Sequence, residues 1–188
     1  MDIQLSWDLF IIVFFVIIGA YSLIIGRDNT LKVILGTYIA ALAADSIGNI
    51  FGKYFAGSEG FIKLLQLLQL GNESETVVFV KILVFIIMVI LFAVKGSFSV
   101  STMKEKSGMI CMFLSSMYAI MSAGLIISVI LVFVSGVSFV SGAQSASVTL
   151  TDIYNESVLV RSMVSNSYLW FSIPALTFLF HSLYNGQE

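Results

Sequence analysis

The 188-residue chain is 59% hydrophobic and 11% charged, with a formal charge of −2, whereas an average soluble domain carries about 25% charge. So little polar surface cannot cover a globule in water, and with a mean hydropathy of +1.02 the chain reads as an integral membrane protein. It has no basic excess to support nucleic-acid binding, and one Cys with one His makes neither an intrachain disulfide nor a metal site.

A single Pro and 16 Phe fit long apolar helices. An outer-membrane barrel would need alternating runs of about ten residues separated by turns, and none is visible. The opening MDIQLSWDLF is acidic, and no small-residue cleavage pattern follows its apolar core. It therefore reads as a retained first membrane helix headed by Asp8 as its cap.

Four spans follow in chain order. Leu9 to Gly26 holds 18 residues without a charge, close to the roughly 20 needed to cross a bilayer. Residues 32–55 form the second, interrupted by Asp45 and ending near Lys53. The third, 77–94, contains Lys81 and is followed by Lys95; such lysines must snorkel or be paired. The fourth, 108–134, carries no charge. These spans make a membrane domain over residues 1–135.

Between spans two and three, EGFIKLLQLLQLG places Lys63, Gln66 and Gln69 on one stripe. It reads as an interfacial helix or as a helix packed on the bundle. Residues 136–152 are rich in Gly and Ser and read as a linker. The tail, 153–188, is polar first and apolar later. Tyr168 to Tyr184 is expected to be an amphipathic helix on the membrane surface, anchored by Tyr168, Trp170 and Tyr184, or else a fifth span kinked at Pro174.

Lys and Arg near the span ends favour a cytoplasmic first and third connection. Arg27, Lys32, Lys95, Lys104 and Lys106 stand there, against Lys53, Lys63, Lys81 and Arg161 on the other side. With four spans, both termini then face outside.

Within span two, Gly36, Ala40, Ala44, Gly48 and Gly52 recur every four residues and so share one slowly coiling face. In lipid, close backbone approach replaces the hydrophobic drive between helices, and small residues permit it. This ladder predicts a packing seam on a central helix, contacted by spans one and four. Its partner lies either within the chain or in a second copy.

Asp45 lies beside the ladder, on a face shared with Tyr38, Ala41 and Asn49. A carboxylate at depth costs on the order of 2.5–3.5 kcal/mol on insertion scales, so it should face the bundle and find a partner. Asp45 lies roughly 12 Å of helix rise from Lys53, and Lys81 roughly 6 Å inside span three from the same side. Lys81 can reach across that difference, with Asn49 and Tyr38 as further hydrogen-bonding groups. Asp45 is then either a relay or ion-pathway group or a paired carboxylate that fixes helix register.

Other patterns are weaker. The only histidine, His181, has no spacing with Asp152 and a serine that supports a triad, and GSFSVSTMKEKSG lacks the P-loop lysine placement. No catalytic residue and no cofactor is expected.

The stretch from Trp7 to Phe55, with Asp8, Gly19, Gly26, Arg27 and Gly36, resembles the colicin V production (CvpA) family of small bacterial inner-membrane proteins. The likeness extends by pattern to Val134. It departs at the head of span four, where Gly108 stands without the family's Arg and Ser115, Ser116 and Ser122 replace its spaced glycines. The resemblance implies a multi-pass protein of the bacterial cytoplasmic membrane. Its role would be non-enzymatic support of export or envelope homeostasis through helix-mediated assembly. The alternative is a small transporter or channel subunit with Asp45 and the serine face of span four (Ser115, Ser122) in its pathway. The expected partners are the lipid bilayer and either a second copy or other membrane proteins.

Overall fold

The computed structural model describes residues 7–55, 58, 73–96, 108–140, 154 and 157–185. Among them it has six helices: α1 (Trp7–Ile25), α2 (Arg27–Phe55), α3 (Glu73–Lys95), α4 (Gly108–Val134), α5 (Val158–Ser165) and α6 (Ser167–Asn185). The first four are long and apolar enough to cross a membrane, and a fifth crossing arises if the α5–α6 pair is one span. The described residues are all-helical, and their four apolar helices mark a multi-pass membrane protein. The proposed interfacial helix, EGFIKLLQLLQLG, lies outside the described residues.

α1 and α2 form a tight hairpin. Gly26 takes φ +80°, a backbone state that glycine enters without a Cβ penalty, and α2 starts at the next residue. The Thr30 hydroxyl is shared between the carbonyls of Ser22 at 3.0 Å and Gly26 at 2.9 Å. Carbonyls that the end of α1 would leave unpaired are thereby satisfied.

α3 returns along α2, and the contacts fix an antiparallel register. A Cβ on Gly36 would meet Phe92, one on Gly48 would meet Lys81, and one on Gly52 would meet Val77. The glycines of the α2 ladder therefore pack on α3, a neighbour not expected from sequence, while the expected first and fourth spans also contact α2. Ala40 and Ala44 turn toward a core shared with Phe85 of α3 and Ile126, Val129 and Phe133 of α4. α4 runs parallel to α2: Leu31 and Ile34 pack with Tyr118, Met121 and Leu125, and later residues of the two helices meet further along. α1 packs chiefly on α4, through Ile11, Ile127 and Leu131.

The tail differs from a surface helix. Val160 and Met163 of α5 pack with Ile11, Ile127 and Leu131. After a 55° bend, Trp170 lies over Gly124 and Phe178 packs with the Leu31, Ile34 and Tyr118 cluster. α5 and α6 thus run the length of the bundle antiparallel to α4. The bend falls at Asn166, between the helices, whereas α6 continues through the buried Pro174. Trp170 is a packed residue, edge-on to Phe15, and not an interfacial anchor; Tyr168 is exposed.

Candidate functional site

α4 ends deep inside the bundle. Its Phe133 ring meets Phe85 at 5.9 Å, and Phe85 lies one turn from Lys81. The Ser135 N–H bonds the Leu131 carbonyl, the Gly136 N–H the Phe133 carbonyl, and the Ser135 hydroxyl the Val132 carbonyl at 2.6 Å. Those bonds close the last turn. Gly136 then adopts φ +75°, and the chain turns back toward α2.

That turn brings residues 138–140 onto Asp45. The carboxylate is fully buried, and Lys81 is buried beside it. Lys81 Nζ donates to Asp45 Oδ1 at 2.6 Å. The Ser138 hydroxyl donates to Oδ2 at 2.7 Å, and the Val140 backbone N–H to the same oxygen at 2.8 Å. Asn49 Nδ2 donates to Ser138 Oγ at 3.0 Å, extending the network by one residue. Three segments of chain therefore converge on one carboxylate, and charge-assisted hydrogen bonds of this length are the strong ones.

Gly48 makes room for the lysine. Any side chain there would overlap the Lys81 stem. The ladder thus has a role beyond helix approach: it opens the channel along which Lys81 reaches Asp45.

Of the residues grouped around Asp45 by sequence, Asn49 and Lys81 come together with it. Tyr38 does not join them. Its hydroxyl donates to the Phe171 carbonyl at 2.5 Å. Ser138 and Val140 were missed because they fall in a Gly- and Ser-rich stretch that reads as linker. Its first residues, 136–140, instead fold back over Asp45, with Ser138 buried and Phe139 and Val140 exposed, while 141–153 lie outside the described residues.

Asp8 serves another element. It lies inside the first turn of α1, and its Oδ1 accepts from the Ser157 hydroxyl at 2.5 Å and the Leu159 N–H at 3.1 Å. Ser157 in turn caps α5 by accepting the Val160 N–H at 3.0 Å. Asp8 therefore ties the start of α5 to the start of α1. The fourth-span serines diverge: Ser122 is buried, with no hydrogen-bond partner for its hydroxyl among the described residues, and Ser115 is partly exposed.

Chemically, the site holds a charge pair and two neutral hydrogen-bonding side chains. Among the described residues no cluster of His, Cys, Asp or Glu could hold a metal ion. No protein-family model, curated protein or solved structure matches the chain.

Proposed function

We propose that this chain is a non-enzymatic protein of the bacterial cytoplasmic membrane, of the colicin V production type, that supports export or envelope homeostasis by assembling with other membrane components. The observation that carries this reading is how the polar groups at depth are used. Asp45 accepts from Lys81, Ser138 and Val140, so three of the roughly four acceptor sites of a carboxylate are used within the bundle. The outer helices are the reverse: only 11% of the residues in the spanning windows of α1 and α3 are buried, against 72% in α4. Outward apolar faces of this kind suit lipid and partner helices. The glycine ladder, being occupied by α3, is not the assembly surface.

With α5–α6 as a fifth crossing, the N-terminal end faces outside and the C-terminal end the cytoplasm. The cytoplasmic connections then hold Arg27, Lys32, Lys95, Lys104 and Lys106, against Lys53, Lys63 and Arg161 outside, with Lys81 left out because it is buried against Asp45. That bias agrees with the positive-inside rule.

Photo-crosslinkers placed at the exposed Ile24, Val94 and Phe180 test the assembly reading in native membranes. A discrete protein adduct from at least one of these positions is expected; adducts with lipid alone would overturn it.

A second reading, transport with Asp45 in the pathway, is favoured by one specific feature. Non-helical backbone at membrane depth is tolerated where it is buried in protein or lines a water-filled cavity, and residues 135–140 cover Asp45 with only a thin layer, since Val140 is 57% exposed. Proton or cation flux into liposomes, abolished by Asp45→Asn, would establish this reading over the first.

A further inference from the structure

The α5–α6 break faces a small cavity against α4. Ser128, Leu131, Val132 and Ser135 line it from α4 and its last turn, and Met163, Val164 and Ser167 from the two sides of the break. Its volume is about 30 Å³, enough for a water molecule, which needs roughly 10–15 Å³ by the same measure.

Three of the lining residues are serines, and one hydroxyl is orphaned. Ser128 is 1% exposed, and its Oγ has no hydrogen-bond partner among the described residues. A serine inside a helix ordinarily returns its proton to the carbonyl four residues back; Ser128 does not. A buried hydroxyl left unpaired carries a desolvation penalty that a bridging water removes. The site also lies where a helical span is interrupted, and in lipid the groups at such an interruption must be satisfied by side chains or ordered water.

We propose that this cavity is a binding site for structural water, held by Ser128 Oγ with Ser135 and Ser167 as the other polar walls, and that the water stabilises the bend between α5 and α6. The pocket selects water over an apolar guest because an alkyl group would leave Ser128 unpaired. The inference does not depend on the assembly reading, since it concerns the bend and not the outward faces.

Radiolytic hydroxyl-radical labelling of the full-length protein in nanodiscs tests it, because radicals arise at bound water and oxidise the nearest side chains. Met163 lines the cavity, and Met121 lies elsewhere in the core; each is 6% exposed. Met163 is expected to form its sulfoxide several-fold faster than Met121. Ser128→Val, or Ser128→Ala if the larger change impairs folding, should bring Met163 down to the Met121 rate. Ser128→Thr, which keeps a hydroxyl, should preserve the difference. Equal rates in the unaltered protein, or a Met163 rate indifferent to loss of the Ser128 hydroxyl, would overturn the proposal.

Discussion

Asp45 is tolerable at depth because three donors from α3 and the turn after α4 reach it. Removing one partner of such a pair leaves a buried charge uncompensated, which typically costs about 3–5 kcal/mol. The pairing with Lys81 was legible in the sequence: a lone carboxylate and a lone lysine stand at matched depths on antiparallel spans, and each is costly alone. The share of Ser138 and Val140 was not legible, since nothing in GVSFVSGAQSASV signals a return into the bundle. Tyr38 shows the limit of helical-face reasoning. It shares Asp45's side of α2 but stands roughly 10 Å away along the axis, and its phenol reaches α6 instead. Glycines provide the sharpest test at this scale. Gly48→Ala puts a methyl group into the Lys81 stem and should lower stability by about 1–3 kcal/mol through overpacking. Gly19→Ala, with nothing within 4 Å of the new methyl, should be neutral or stabilising by up to about 1 kcal/mol. Thermal melts of the two variants in detergent would separate them; equal losses would refute the role given to Gly48.

At the scale of elements, small residues mark where helices meet but not which helix arrives. The α2 ladder reads the same for any neighbour, and its match to α3 depends on Phe92, Lys81 and Val77 falling opposite Gly36, Gly48 and Gly52. Register of that kind is a property of both helices, so the sequence of α2 alone points as well to spans one and four. The tail raises the same difficulty. Trp170 in a diluted apolar run reads as a membrane-surface anchor, yet Gly124 on α4 gives its indole a seat that any larger residue would fill. Gly124→Leu should therefore dislodge α6. In a Trp7→Phe background Trp170 is the sole tryptophan, and its emission should shift to the red and become accessible to quencher. An unchanged spectrum would show that α6 is held by other contacts, Tyr38 to Phe171 among them.

For the whole molecule, membrane class and four spans follow from composition and apolar run length, because lipid leaves helices as the plain solution for such segments. The fifth helical passage was legible only as the alternative to a surface helix. Ser172, Thr177 and Pro174 dilute the run, and the bend at Asn166 divides it into pieces that read as too short or too polar. A phosphatase or fluorescent reporter at the C-terminus should report the cytoplasm if α5–α6 crosses, and the outside if it does not. The organisation of the bundle around one buried pair is tested most directly by a double-mutant cycle on folding stability, with Asp45→Asn, Lys81→Met and the two combined, measured by unfolding in mixed detergent. Each single change should cost about 3 kcal/mol or more. The double variant should lose less than both together, with a coupling of about 1–3 kcal/mol. Losses that add to within about 0.5 kcal/mol would mean that Asp45 and Lys81 do not hold the bundle as a pair.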